Sequence, residues 1–160
     1  MAVNLPSPCP NEVSEAAMEQ EMIRARAWGV EGIAFGDLFL EEIRRYREER
    51  LARVGMSAVF PLWGQQTRAL AEEVIAAGLR ALLTCVDPRV LPACFVGREF
   101  DQRLLDEFPA PVDPCGENGE FHSFAWDGAM LSWLVGVRVG EVVHRDGFVF
   151  ADLLPGEAWP

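Results

Sequence analysis

Lysine is missing from this chain, and all 14 basic side chains are arginine. That absence excludes Schiff-base chemistry on a lysine amine. It also excludes a lysine-bearing phosphate loop within these 160 residues. Any anion must be met by arginine, by backbone N–H groups or by a metal. Positive charge is scarce overall: 25 acidic residues give a formal net charge of -11. So acidic a body repels phosphate backbones, and nucleic acid is not an expected partner. The four cysteines, Cys9, Cys85, Cys94 and Cys115, form no C-x-x-C pair. This is not the dense framework of a small secreted protein, so reduced thiols are expected. Their spacing with His122 gives no support for zinc, and no metal ligands are assigned. No apolar run is long enough for a bilayer, and no basic-then-apolar leader opens the chain. The expectation is a soluble cytoplasmic protein without a membrane partner.

Half of the residues are hydrophobic, enough for a real core. The opening AVNLPSPCP reads as loop. Asn11 is the expected N-cap of a helix reaching Trp28, with Val13, Ala16, Ile23 and Ala27 inward and Gly29 as the stop. VEGIAF (30–35) reads as a buried strand ending at Gly36-Asp37. A helix follows over 41–54, carrying i,i+4 pairs Glu41–Arg45 and Glu49–Arg53. SAVFPL (57–62) is the next strand, 67–77 the next helix, and LRALLTCV (79–86) a third strand. A shorter helix is expected around 99–108. This alternation implies a parallel sheet flanked by helices, with ligands gathering at the strands' carboxyl ends. The last third changes to β: EFHSFAW, LVGVRVGEVVH and FVFADLL, with Arg145-Asp146-Gly147 as a turn. The expected division is an α/β portion over 1–108 and a β-rich portion over 109–160.

Several residues stand out as candidates. Gly36 and Asp37 follow a strand end, where either a turn or a ligand contact is served. Arg44, near a helix start, could reach a phosphate or carboxylate, although most arginines of that helix read as a solvated face. Trp63 follows a strand end and serves either a core or a pocket wall. The stretch VDPCGENGEFHSFAWDG (112–128) carries more polar chemistry than a turn requires. Gly116 and Gly119 allow positive φ or close approach of N–H groups to a ligand. Glu117 and Glu120 could hold a metal, orient an amine or act as a general base. The plainer reading is a glycine-rich turn entering a hairpin, its glutamates in water.

Taken in order, FGDLFLEEIRRYREERL (35–51), FPLWGQQTRALAEEVIAAGLRALLTCVD (60–87), GREFD (97–101) and DPCGENGEFHSF (113–124) resemble the diphthine–ammonia ligase family. That family belongs to the ATP-pyrophosphatase, or adenine nucleotide alpha hydrolase, group. The resemblance runs from about Pro8 to Pro155. It is nearest to a bacterial branch with PCxN, FGDLFLE and DPCGENGEFH segments. It implies a Rossmann-like nucleotide domain followed by a smaller substrate part. It also implies ATP and Mg²⁺ as cofactors, adenylation of a carboxyl group, and displacement of AMP by ammonia. In archaea and eukaryotes the family's substrate is diphthine on translation elongation factor 2. On this resemblance Gly36 and Asp37 line the nucleotide or substrate cleft, Trp63 borders it, and Gly116 and Gly119 line the substrate side; Arg44 joins them as a nucleotide- or substrate-binding candidate from its place near the helix start. Glu117 and Glu120 are the catalytic pair.

The departures are specific. The family's G-E-G-G-E-Y-E-T is GENGEFHS here, and its S-G-G-K-D-S phosphate loop is absent. The expectation is therefore a truncated Rossmann-like sheet lacking its first β-α-β segment, inactive with ATP on its own. The substrate is expected to be a small molecule or a protein carboxyl. An exposed sheet edge invites a homodimer. Two rival readings remain open: a non-enzymatic ligand- or partner-binding relative, and a small metal-dependent hydrolase using Cys115, Glu117, Glu120 and His122.

Overall fold

The computed structural model describes Pro6 and residues 8–156. Most of the expected opening loop lies outside the described residues. The chain divides into two compact units, Met1–Gly64 and Gln65–Pro160.

The first unit holds α1 (Asn11–Ala27), β1 (Gly32–Ala34), α2 (Glu41–Arg53) and β2 (Ser57–Val59). Strands β1 and β2 pair in parallel, with Gly32 opposite Ser57. Only glycine fits there: a Cβ on Gly32 would stand 2.6 Å from Ser57 Oγ and 2.9 Å from its carbonyl oxygen. Leu38, Leu51 and Met56 are its buried apolar residues. Two expectations for α1 are corrected. Pro10, not Asn11, occupies the N-cap position, its fixed φ of -60° leading into the helix. The inward stripe is also displaced, since Val13 and Ile23 are exposed. Ala17, Met22 and Ala25 are the partly buried apolar positions instead. The polar Gln20 breaks the expected stripe, so the helix turns another face inward.

The second unit holds α3 (Thr67–Ala76), β3 (Arg80–Val86), a 3₁₀ turn at Ala93–Phe95 and α4 (Gln102–Glu107). Then come β4 (Phe121–Asp127), β5 (Val137–Arg145) and β6 (Phe148–Pro155). These strands form one sheet in the order β4-β3-β6-β5. Every pairing in it is antiparallel. Here the reading of a single parallel sheet is overturned, because β3 does not extend the β1–β2 pair. Its alternation of half-buried and buried residues is the signature of a strand covered on one face. The fold is mixed α/β, with a small parallel sheet and a larger antiparallel one.

Leu83, Val86, Leu91, Phe95, Leu104, Val112, Phe121 and Val149 form the core of this unit. Burying each such side chain contributes roughly 1.5–3 kcal/mol. Asp101 caps α4, its Oδ1 accepting from Leu104 N–H at 2.8 Å. Between β5 and β6, Asp146 and Gly147 both have positive φ, 53° and 83°, as a two-residue primed hairpin turn requires. No helix of the described residues is long and apolar enough to cross a membrane.

Candidate functional site

The candidate loop enters β4 from Asp113. Asp113 begins it with an Asx-type turn, its Oδ1 accepting from Cys115 N–H at 2.8 Å and Glu117 N–H at 3.3 Å. Its carbonyl accepts from Gly116 N–H at 2.9 Å, and the Gly116 carbonyl from Gly119 N–H at 3.0 Å. Both turns need a left-handed residue, and Gly116 and Gly119 supply it with φ of 69° and 83°. Gly116 is constrained twice. A Cβ there would stand 3.1 Å from the Phe121 ring and from its carbonyl oxygen.

Glu120 closes the loop. Its side chain is buried with 5% of its surface exposed. Oε1 accepts from Asp113 N–H at 2.9 Å and Asn118 Nδ2 at 3.0 Å, while Oε2 accepts from Asn118 N–H at 3.0 Å. Burial pushes this carboxyl up, but the hydrogen bonds from Asn118 and Asp113 outweigh it and hold it below the ordinary glutamate range. The Glu120 carbonyl meanwhile accepts from Asp87 N–H at 2.8 Å, tying the loop to the end of β3. Asp87 is held by Arg89, with Nε and Nη2 at 2.8 and 2.6 Å, and those bonds keep it below the usual aspartate range.

Glu117 and Glu120 thus differ in environment. Glu120 is committed to the backbone, whereas Glu117 is half-exposed. The Cys115 thiol donates to the Thr67 carbonyl at 3.3 Å. Burial, with Asp113 and Glu117 nearby, pushes it up to about 11. It is an inert thiol at neutral pH rather than a ready thiolate. His122 is exposed on β4. Among the described residues no three His, Cys, Asp or Glu side chains gather closely enough to hold a metal ion. Nor does this loop fit a phosphate. The N–H groups of Asp113, Cys115, Glu117 and Asn118 are already turned on carboxylates of the chain itself.

The remaining candidates lie in the first unit. Gly36 has open space where a Cβ would stand. Asp37 is paired with Arg47, whose Nη2 donates to Oδ1 at 3.1 Å. Arg47 Nε lies 2.7 Å from Oδ2, close but off the hydrogen-bond direction, so that contact counts as an ion pair only. The Arg47 guanidinium also covers the Phe35 ring at 4.3 Å. Arg44 and Trp63 are brought together: the guanidinium sits 4.7 Å from the Trp63 ring centre and 5.0 Å from that of Phe60. Arg44 Nε donates to Glu48 Oε1 at 2.9 Å. The sequence reads Arg47 with its helix as a solvated face, whereas it pairs with Asp37, and gives no role to Asp113 and Asn118. The D-x-x-G spacing at 113–116 was the available signal for the Asx turn.

Residues 66–150 match the diphthamide synthase C-terminal domain family. The chain belongs to this family. The match contains the whole candidate loop, while Gly36, Asp37, Arg44 and Trp63 precede it. The chain is 30% identical over 128 residues to the diphthine–ammonia ligase of Bos taurus, covering 76% of this chain and 48% of that protein. The Homo sapiens protein of the same name gives the same identity and coverage. The Danio rerio one is 28% identical over 126 residues, 73% of this chain and 48% of its own length. This member of the diphthamide synthase family therefore spans about half the length of those relatives.

Proposed function

We propose that the chain is the substrate-side portion of an ATP-dependent amide-forming ligase of the diphthine–ammonia ligase type. The reaction joins a carboxylate, ATP and ammonia to give an amide, AMP and pyrophosphate. The carboxylate belongs to a protein or a small molecule. The observation that carries the reading is the self-locked loop 113–120 inside the family match.

In this reading Glu120 is a positioning residue. It holds the loop through two backbone N–H groups and the Asn118 side-chain amide and does not touch substrate. Glu117, half-exposed on the same loop, is the group that holds ammonium or takes its proton. The loop's shape is fixed beforehand, which is what placing ammonia against an activated carboxyl requires. Gripping of ATP and its Mg²⁺ falls to residues other than this loop, since its N–H groups are occupied. The β1–α2–β2 unit, with Gly36, Asp37, Arg44 and Trp63, is the part proposed to derive from a Rossmann-like nucleotide domain.

The test is a chimera. Residues 66–150 replace the corresponding domain of the Homo sapiens relative, and ATP-dependent amidation of diphthine is measured. Activity that is lost with Glu117→Gln is expected. A folded chimera that makes no amide overturns the reading.

A second reading, pairing with another chain, draws on the two-stranded sheet, where β1 and β2 each have one ladder neighbour. Sedimentation of the pure chain across a concentration series checks it; a monomer throughout removes it.

A further inference from the structure

The antiparallel sheet of the second unit is forked. Strand β6 pairs with β3 only at Cys85–Phe150 and Val86–Val149. Toward the start of β3 the two strands part, and the segment 97–100 runs beside β3 instead. Gly97 N–H donates to the Leu83 carbonyl at 2.7 Å, Leu83 N–H to the Arg98 carbonyl at 2.9 Å and Phe100 N–H to the Ala81 carbonyl at 2.8 Å. Gly97 is wedged against the other arm of the fork, where a Cβ would stand 3.0 Å from Val139 Cγ1. The β4–β5 connection folds back over the opening through Val135 N–H to the Trp126 carbonyl at 2.7 Å.

The result is a cavity of about 270 Å³ lined by Arg80, Leu82, Glu99, Trp126 and residues 135–139. Its volume lies just under the usual range of small-molecule sites. Leu82, Trp126, Val135, Val137 and Val139 make its walls apolar. Its charged side chains are two arginines, Arg80 and Arg138, against one glutamate, Glu99. Arg80 lies 4.0 Å over the Trp126 ring, and its Nε donates to Glu99 Oε1 at 2.8 Å. Glu99 thereby offsets the charge of Arg80, which leaves Arg138 as the cation of the lining without a carboxylate partner among the described residues. Arg138 is exposed and forms no ion pair among the described residues. Trp126 is 7% exposed, and its indole Nε1 is buried with no acceptor among the described residues. A buried N–H without a partner is costly, about 1–3 kcal/mol, and calls for an explanation. Asp127 stands near enough to Arg80 to act on its charge but does not line the cavity.

We propose that this fork binds a small organic carboxylate with an apolar body. A wall with two guanidinium groups against one carboxylate, and with an unmatched indole N–H, favours a ligand that accepts. The apolar walls favour a singly charged carboxylate over a phosphate, because less charge must be desolvated. Arg138 meets the carboxylate at the cavity's rim, Leu82 and Val135 hold its body, and Trp126 Nε1 gains its missing acceptor. The proposal is independent of the amide-forming reading.

The test uses the full chain labelled with ¹⁵N and titrated with benzoate, watching the Trp126 indole N–H signal assigned through Trp126→Phe. A saturable shift is expected. Arg138→Gln, at an exposed strand position, should weaken it at least tenfold while circular dichroism stays unchanged. Phenyl phosphate and benzyl alcohol are the controls. No saturable shift with benzoate overturns the proposal. So does equal binding of benzyl alcohol, tighter binding of phenyl phosphate, or undiminished binding by Arg138→Gln.

Discussion

The backbone N–H of Asp113 donates to the Glu120 carboxylate at 2.9 Å across seven residues of chain. That bond, with two more from Asn118, makes a buried anion the centre of loop 113–120. A neutral amide cannot replace it well, because Gln presents one oxygen and one NH₂ where three donors converge. Glu120→Gln should lower stability by about 1–3 kcal/mol, the cost of leaving a buried donor unmatched. Urea denaturation reads this directly, and a wild-type midpoint would sink the assignment.

The same carboxylate carries a pH signature. Its folded value is depressed, so its contribution is present above the ordinary glutamate range and lost as pH falls through the folded value. Stability of wild type minus Glu120→Gln should therefore be constant near neutrality and shrink in acid. Denaturation curves at stepped pH values check this. A difference that grows in acid contradicts the sign.

The three candidate glycines should separate cleanly. Gly116→Ala meets both a left-handed φ and the Phe121 ring at 3.1 Å. Gly119→Ala meets the backbone cost alone, about 1–2 kcal/mol. Gly36→Ala meets neither, since its Cβ enters open space without positive φ. Thermal unfolding should rank them 116, then 119, then 36 nearly silent. A silent Gly36→Ala that still impairs ligand binding would mark Gly36 as a contact residue.

Thiol labelling should follow exposure and charge. Cys94 is exposed, whereas Cys85 is buried and Cys115 is raised to about 11. Iodoacetamide at mildly alkaline pH should modify Cys94 well before the other two, as seen by peptide mass analysis. Early modification of Cys115 would show that its bond to the Thr67 carbonyl is not kept in solution.

Asp37→Asn should destabilise the first unit by about 1.5–3 kcal/mol, because it removes the charged acceptor of Arg47. Calorimetry on the full chain checks this, and an unchanged transition would free Asp37 for a purely ligand-facing role.

Incubated alone with ATP, Mg²⁺, ammonium and a carboxylate, the pure chain should release no AMP. Its candidate loop offers no vacant N–H cradle, and lysine is absent. Sustained AMP release would relocate the ATP step into this chain.

Local order was the most legible part of the sequence. The helices at 11–27, 41–53 and 67–76 each end two residues before their glycine stops, and the β-rich final third is where alternation placed it. The antiparallel hairpin of β5 and β6 was legible from its turn, but the direction and partners of β3 were not. Periodicity says that 79–86 is a strand, but its partners, β4 and β6, begin 35 or more positions later, and no local pattern encodes that pairing. The candidate loop was legible in composition and only partly in role. Two glutamates three apart look alike in sequence, yet one is buried under three donors and the other is half-exposed. What separates them is the path of the backbone around Asp113, which only the folded chain reveals.

Loops that cradle phosphate usually wait for their anion, and their donors are quiet only when the ligand arrives. This one brings its own counter-charge. Because Asp113 and Glu120 already fill the nest, the loop's donors are matched without a guest. A substrate docking there would forfeit little loop entropy on arrival. The cost falls on plasticity: changing the loop's shape means first breaking the hydrogen bonds around its buried carboxylate, so evolution or design can retune what the loop touches far more easily than how it is folded.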